Sequence, residues 1–436
     1  MRPTALATRS ARHPRLPPSV WGLTLCQALL ISGNVLLIAT SPLIGARLAP
    51  SAGWSTLPVA LQLLGLTAAT LPAGWLTAHL GRKRTFVLGN LVGLAGIAAC
   101  LLALVQAHFG LFNLGTFAIG MSIGVGMLYR FAALEAAPEP LRDSALSWVM
   151  AGGVVAALAG PWLAEHLRDA LATPFLGSFM GLGGLYLAAL GLLSTLRFAP
   201  VTPRATPLPP PRPVGQLLRQ PLLPAAIACA ALGYAVMNLA MTATPLAMSH
   251  AGHDFGAVAE VIQWHMLAMF APSFITGRLT RRLGHARMIA IGALCLFASL
   301  LCAWLTPAVW AFALGLGLLG LGWNFTFLPA SAWLTTHYRA GEAPRVQAIN
   351  DCAVFALTSL SALAAGPLNA WLGWQQLNLW LLPAVLLLLV IALRAARATP
   401  HGSGARTTRG GQERLRPLAR RAAEQAHPDE QRTRQR

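Results

Sequence analysis

Long apolar segments alternate with short polar or proline-rich segments along most of the chain. A helix needs about 20 mainly apolar residues to cross a bilayer, and twelve segments approach or exceed that length. The hydropathy pattern therefore predicts an all-α membrane protein with twelve transmembrane helices. These helices are expected at residues 20–43, 54–78, 85–106, 110–132, 145–164, 175–196, 221–248, 257–280, 288–305, 308–335, 347–370 and 375–394.

A constant spacing relates the first part of the chain to the second. Adding 203 to a residue number carries Cys26 to Cys229, and further identities at this offset run through the first five predicted helices. Such an offset predicts two homologous six-helix halves, at residues 19–196 and 221–395. The proline-rich segment between them, residues 197–220, is expected to be a stiff cytoplasmic linker.

Composition supports a membrane protein, and the charge distribution predicts its orientation. The chain is 56% hydrophobic and 10% charged, which leaves too few charges for the surface of a soluble domain. The net charge of +19 would suit a nucleic-acid ligand, but only Arg47 and Arg168 among the 32 lysines and arginines fall on the predicted periplasmic side. This asymmetry follows the positive-inside rule. It predicts a protein embedded in the lipid bilayer of the bacterial inner membrane, with no nucleic-acid partner. The tails at 1–18 and 396–436 are then cytoplasmic, and the second is expected to be disordered.

Two consecutive predicted helices carry paired side chains that suit a soft metal ion. Met237 and Met241 lie four residues apart in the seventh helix, as His265 and Met269 do in the eighth. Each pair therefore faces one side of its helix, one turn apart. Because a short loop joins the two helices, the four side chains fall at matching depths, roughly 12–18 Å from the surface. Thioether and imidazole donors without a carboxylate suit Cu(I). Core packing is the alternative, because methionine also fills gaps between helices.

Four residues near these pairs are candidate accessory metal ligands. Met248, His250 and His253 follow the seventh helix on the predicted periplasmic side, where they could pass an incoming ion inward. Cys229 lies two turns from Met237 towards the cytoplasm and could receive the ion there. A polar loop with incidental histidines and a small buried cysteine are the alternative explanations.

The sequence around the paired residues resembles the CcoA-like copper importers of the major facilitator superfamily, in the stretches GYAVMNLAMTATPLAM and IQWHMLAMFAPSFITGRL. That family is marked by MxxxM in its seventh helix and HxxxM in its eighth. The resemblance implies a major facilitator fold with two pseudo-symmetric halves, alternating access, and copper import that supplies haem–copper oxidase. Copper would be the transported substrate, no cofactor is expected, and a periplasmic or cytoplasmic copper chaperone would be a partner.

A duplicated loop resembles the superfamily's signature between the second and third helices. Its pattern, GxLTxxLG, runs from Gly74 to Gly81, with Arg82 directly after it, and again from Gly277 to Gly284. In the superfamily the glycines allow close packing, and a charge network latches the cytoplasmic side. The usual acidic residue is missing here, so the charge network is expected to be weaker or to be formed by other residues. A basic turn that only sets topology is the alternative.

Two further sets of residues are expected to have structural roles. Arg130 and Glu135, at the cytoplasmic end of the fourth helix, are predicted to pair with each other or with Arg142. Gly160 and Pro161 in the fifth helix are expected to allow close helix contact and a bend.

The sequence as a whole favours a secondary transporter that imports copper, and a monomer is expected. It contains no catalytic constellation or nucleotide-binding loop that would indicate an enzyme. The alternative is a transporter of an organic solute, such as a riboflavin-like vitamin or a drug-like cation, in which the methionines line an apolar cavity. A third hypothesis is a membrane assembly factor that binds metal without moving it.

Overall fold

The computed structural model describes residues 16–138, 141–198, 212–220, 222–339 and 342–398. Within these segments the chain forms helices and no strand, as expected where backbone polar groups must pair with each other inside a bilayer. The helices are α1 (Pro18–Leu48), α2 (Leu57–Leu80), α3 (Arg82–Gln106), α4 (Phe109–Gly126), α5 (Tyr129–Ala136), α6 (Arg142–His166), α7 (Leu176–Thr195), α8 (Val214–Leu218), α9 (Leu222–His250), α10 (Phe255–Phe270), α11 (Ser273–Leu283), α12 (His285–Cys302), α13 (Val309–Thr335) and α14 (Ala343–Ala398), with a short 3-10 turn at Ala52–Trp54.

Some predicted helices are broken or merged in the structure. The predicted eighth helix consists of α10 and α11, which meet at an angle of 44°. Pro272 lies at this break, where its ring and missing N–H disfavour a continuous helix. The last two predicted helices both lie within α14, on either side of a kink where Gly373 adopts a φ of 73°. Glycine enters this left-handed conformation readily because it has no Cβ.

The number of membrane-spanning helices remains a prediction. In the described part of the chain, nine helices are long and apolar enough to cross a membrane, or ten if the bent pair α10 and α11 forms one span. The interrupted α14 counts once among these nine, although its length of 56 residues corresponds to roughly 84 Å. That is more than twice the thickness of a bilayer core.

Helix packing shows the internal symmetry that the repeat predicts. Within the first half α1 packs on α6, and α3 packs on α4 and α7; within the second, α9 packs on α14 and α12 on α13. The two halves meet where α2 contacts α14 and where α6 contacts α10. The repeat offset relates these two contacts to each other, so the halves meet across a pseudo-two-fold axis.

The domain boundaries stay predictions because much of the tails and linker lies outside the described residues. The predicted linker, 197–220, is described only at 197–198 and 212–220. The second of these pieces contains the short helix α8. We call the side of the bundle that carries α8 the linker side, and the opposite side the far side.

The halves are closed against each other on the far side. The backbone N–H of Gly366 in α14 donates to Thr56 Oγ1, before α2, at 2.9 Å. The guanidinium of Arg168, after α6, lies 5.3 Å from the ring centroid of Phe175 and 5.2 Å from that of Phe255 at the start of α10. The two rings pack edge to face at 5.3 Å. We call Arg168, Phe175 and Phe255 the far-side clasp, because they join the two halves.

Candidate functional site

All four residues of the predicted copper site are buried. Met237 and Met241 in α9 and Met269 in α10 are at most 5% exposed, and His265 is fully buried. The three methionines belong to the main apolar cluster of the protein. Burial at this level agrees with core packing and does not test metal ligation, which stays a prediction for these side chains.

His265 joins two helices. Its Nδ1 lies 2.8 Å from the carbonyl oxygen of Leu316 in α13, so Nδ1 carries the proton and donates to that oxygen. Its Nε2 is buried and has no hydrogen-bond partner. Close approach of α10 to α13 depends on Gly320, where a Cβ would lie 2.5 Å from the His265 carbonyl oxygen. One imidazole nitrogen therefore serves helix packing.

The accessory candidates do not gather around the four central residues. Met248 is fully buried in the main apolar cluster, whereas Cys229 is buried in a separate cluster nearer the linker side. His250 is exposed, and Nε2 of His253 lies 2.6 Å from the carbonyl oxygen of Pro307. Within the described residues, no group of three or more His, Cys, Asp or Glu side chains is arranged to hold a metal ion.

The signature loops turn as expected but are not closely packed. Gly81 and Gly284 have φ values of 79° and 87°, which explains glycine at both turns. A Cβ at Gly74 would meet nothing within 4 Å, and at Gly277 it would only approach the Arg281 side chain at 3.9 Å. The close packing expected at these two positions is therefore absent in this conformation. The conformational role of the loops remains a prediction.

Charge pairs on the linker side differ from those predicted. Arg82 Nε donates to Glu135 Oε2 at 2.6 Å, and a second bond makes the contact bidentate. The prediction that Glu135 pairs with Arg130 is wrong. Five residues separate the two along α5, which at roughly 100° per residue directs them about 140° apart. The side chain of Arg142 lies outside the described residues.

In the fifth predicted helix, now α6, Gly160 is closely packed. A Cβ at Gly160 would lie 2.7 Å from the carbonyl oxygen of Ser32 in α1. Pro161 lies inside α6, as the sequence predicts. Close contact between α1 and α6 therefore depends on a missing side chain at this position.

The second half has a charge pair of its own. Glu342 accepts hydrogen bonds from Arg212 Nε at 2.6 Å and from the Arg339 backbone N–H at 2.9 Å. These bonds hold the pKa of Glu342 at about 2, below its ordinary value. The carboxylate is thus favoured in the folded protein, and its contribution to stability is present above the ordinary pKa and is lost as the pH falls towards 2.

We expect Glu342→Gln to lower the thermal midpoint of the purified protein at neutral pH, because the amide removes the charge that Arg212 contacts. The difference from wild type should shrink as the pH falls from about 4.5 towards 2, as the wild-type carboxylate takes up its proton. Thermal unfolding in detergent at several pH values measures this. A difference that does not change with pH would contradict the assignment.

Sequence reasoning did not identify a group of five aromatic side chains in the second half. The Tyr234 ring centroid lies 5.5 Å from that of Trp323, 5.3 Å from that of Phe327 and 6.4 Å from that of Phe355. The Trp323 and Phe327 rings stack at 5.1 Å with an angle of 14° between their planes. Phe270 lies edge to face with Trp323 at 6.3 Å. We call these five residues the aromatic cluster.

The aromatic cluster lies near the middle of the membrane. Tyr234, Trp323 and Phe355 are each twelve residues from the linker-side end of their helix. At 1.5 Å per residue this places them roughly 18 Å deep. The cluster also reaches the other half, since a Cβ at Gly153 of α6 would lie 2.8 Å from Cδ1 of Phe270.

Polar groups with unused hydrogen-bonding capacity lie in the aromatic cluster and nearer the linker side than the cluster. Trp323 Nε1 is buried without a partner, as are Asn350 Oδ1 and Arg130 Nε. Leaving such a group unsatisfied costs about 1–3 kcal/mol, which a bound ligand or water would recover. Aromatic side chains beside a few unpaired polar groups are the kind of residues that line ligand sites.

The spacing of two pairs could have pointed to this site. Trp323 and Phe327 are four residues apart in α13, and Asp351 and Phe355 are four residues apart in α14. Each pair faces one side of its helix. Such spacing is equally common in ordinary helical cores, so the sequence alone does not distinguish a site from packing.

Two repeat-related halves of long apolar helices, packed across a pseudo-two-fold axis, are typical of secondary membrane transporters. The sequence model of the Major Facilitator Superfamily matches residues 23–261 and 230–426. The chain belongs to this superfamily, as the sequence resemblance implied, and is a multi-pass membrane protein.

Relatives agree with this family, and a solved structure agrees with its fold. The chain is 37% identical over 385 residues to riboflavin transporter RfnT of Brucella anthropi, covering 88% of this chain and 96% of the relative. It is 29% identical over 375 residues to the uncharacterized MFS-type transporter YdeG of Bacillus subtilis, covering 81% and 86%. The structure of the POT family transporter PepTSo superposes with a TM-score of 0.67 at 12% identity, covering 89% of this chain and all of that one.

The relative named a riboflavin transporter overturns the prediction of copper import. That prediction, with its links to copper homeostasis and oxidase assembly, is wrong. A copper chaperone was expected as a partner only because of copper import, so that expectation no longer has support. The physical reason is that MxxxM and HxxxM spacing also arises from helix packing, so the two motifs alone do not identify a copper site. The chain shares its superfamily with the CcoA-like importers. Beyond that, the resemblance consists of the two sequence motifs.

Proposed function

We propose that this chain transports a planar heteroaromatic vitamin of the riboflavin class by alternating access. The aromatic cluster is the observation that carries this proposal. A flat conjugated ring system stacks on aromatic side chains, with about 1–3 kcal/mol for each stacked base in nucleic-acid complexes as a comparison. The name of the 37% identical relative supports the same class of substrate.

The location of the cluster also supports transport. A substrate site is expected near the bilayer midplane between the halves, so that each half can move around it. The cluster lies roughly 18 Å deep and touches α6 of the other half through Phe270. By the positive-inside rule the linker side faces the cytoplasm of a bacterium, both termini are cytoplasmic and the membrane is the inner one.

The experiment that tests this function is uptake of radiolabelled riboflavin by a bacterial strain that lacks its own riboflavin uptake and synthesis. Cells with the protein should accumulate riboflavin by a saturable route and grow on micromolar supplies, whereas cells with the empty vector should not. Equal uptake by both strains would overturn the proposal. Excess of an unrelated drug-like cation should not compete.

Alternating access requires the far-side clasp to open in each cycle. We expect Arg168→Ala to favour the state open to the far side, because the cation–π contacts to Phe175 and Phe255 are lost. Such contacts contribute about 0.5–2 kcal/mol, so the open population should rise roughly two- to thirtyfold. The readout is labelling of a single cysteine at Ser41, buried near the far-side end of α1, by an impermeant maleimide in a cysteine-free background.

Arg47→Ala is the matched control, because Arg47 is an exposed arginine on the same side. It should leave the labelling rate unchanged. Arg168→Lys, which keeps the charge but loses the planar group, should give an intermediate rate. Equal rates in Arg168→Ala and wild type would show that the clasp does not hold the far side closed.

A further inference from the structure

Two charged side chains from opposite halves lie nearer the linker side than the aromatic cluster does. Arg130 in α5 and Asp351 in α14 are six and eight residues from the linker-side ends of their helices, roughly 9 and 12 Å deep. They attract each other electrostatically across the interface between the halves. The two charges are too far apart for an ion pair, and neither has another charged partner within ion-pair distance among the described residues.

Asp351 is connected to the aromatic cluster through its own helix. Phe355, a member of the cluster, is one turn further along α14 and on the same face. The Phe355 ring lies 6.4 Å from that of Tyr234. A ligand stacked on the cluster would therefore extend towards Asp351 on the linker side.

The groups around Asp351 have hydrogen-bonding capacity that the protein does not use. Asn350 is only 5% exposed; its Nδ2 donates to Asp351 Oδ1 at 3.2 Å, but its Oδ1 has no partner. Arg130 Nε is also buried without a hydrogen bond. The Arg130 guanidinium lies 4.9 Å from the Phe131 ring centroid. Charged groups at membrane depth are costly, so the presence of Arg130 and Asp351 without an ion pair among the described residues indicates a function.

We propose that Arg130, Asn350 and Asp351 bind the polyhydroxyl chain of a substrate whose flat ring stacks on the aromatic cluster. Hydroxyl groups both donate and accept hydrogen bonds. They can donate to the Asp351 carboxylate and to Asn350 Oδ1, and they can accept from the Arg130 guanidinium. This assignment rests on the proposed function and adds the part of the substrate that these residues select.

The two halves share this polar site. Arg130 belongs to the first half, and Asn350 and Asp351 belong to the second. A polyol that contacts both sides replaces a weak attraction across a gap with direct hydrogen bonds.

The test compares riboflavin with lumiflavin, which has the same ring system with a methyl group in place of the ribityl chain. Binding to the purified protein is followed by quenching of flavin fluorescence. Wild type should bind riboflavin more tightly than lumiflavin. Arg130→Gln and Asp351→Asn should each weaken riboflavin binding by about tenfold to a hundredfold, since each removes a hydrogen bond to a charged group. Lumiflavin binding should stay within about twofold of wild type, which also shows that the variants are folded.

Two further variants separate this role from others. Glu260→Gln, which neutralises an exposed carboxylate in α10, should bind both flavins as wild type does. In the charge-swapped double variant Arg130→Asp with Asp351→Arg, the attraction between the halves is kept but the donor and acceptor positions are exchanged. It should stay defective for riboflavin.

Three results would overturn the proposal. Recovery of riboflavin affinity in the charge-swapped variant would show that the pair only latches the halves. Equal losses for riboflavin and lumiflavin would show that the residues support the fold. Wild-type riboflavin affinity in both single variants would show that they do not contact the substrate. If wild-type protein binds neither flavin, the proposed function itself fails, and this outcome is distinct from the other three.

Discussion

Replacing Trp323 with leucine should reduce riboflavin uptake by roughly tenfold or more while the protein stays in the membrane at near-normal levels. Trp323 contacts three other members of the aromatic cluster, Tyr234, Phe270 and Phe327, and its buried Nε1–H has no partner in the protein. Leucine removes the stacking surface and the free donor together. Initial rates of radiolabelled riboflavin uptake, at concentrations below saturation, measure the effect.

The matched control for this prediction is Trp380→Leu in α14. Trp380 is 67% exposed on the outside of the bundle, so the same change there removes a side chain without touching the cluster. Its uptake should equal that of wild type, and immunoblots of membranes correct for abundance. Trp323→Phe, which keeps a ring but loses the N–H, should retain part of the activity. Wild-type uptake by Trp323→Leu would show that the aromatic cluster does not bind the substrate.

Replacing Gly120 with alanine should sharply destabilise the first half of the protein. Gly120 in α4 packs directly on α2, where a Cβ would overlap the carbonyl oxygen of Gln62. That oxygen is backbone and cannot move aside as a flexible side chain could. The helices must separate, and overpacking of this kind costs about 1–3 kcal/mol. Lower membrane abundance and a lower thermal midpoint of the purified protein are the expected results.

The control for Gly120→Ala is Gly184→Ala in α7. A Cβ at Gly184 would meet nothing within 4 Å, and the position is exposed to lipid. Alanine has a higher helix propensity than glycine, so this change should be neutral or slightly stabilising. A thermal midpoint of Gly120→Ala equal to that of Gly184→Ala would mean that α2 and α4 can separate at little cost.

The sequence determines the class of this protein and much of its fold. Bilayer thickness sets the length of an apolar helix, so hydropathy alone predicted the long helices. The offset of 203 predicted two related halves, and the structure shows their matching contacts, α2 with α14 and α6 with α10. The pattern predicted no bend at Pro272, because flanking packing decides whether a proline ends a helix or only kinks it.

The choice of substrate could not be read from paired residues in one stretch. A methionine at helical spacing has the same sequence pattern whether its sulfur binds a metal or fills the core. His265 donates to Leu316, 51 residues away in the chain, and this contact leaves its Nε2 free, so it does not separate the two roles either. Local spacing therefore does not identify the substrate, and the riboflavin transporter among the relatives is the finding that overturned the copper prediction.

Only the tertiary structure brings together the residues of the proposed site. Tyr234, Phe270, Trp323 and Phe355 come from four helices, and Arg130 comes from the other half. Each is an ordinary helical residue in the sequence, and their proximity follows from the way the helices pack. Hydropathy records which residues avoid water, whereas a substrate site depends on which helix faces meet at the same depth. The sequence by itself therefore determined a two-part helical membrane protein, and packing between its helices decided which residues meet at the proposed site.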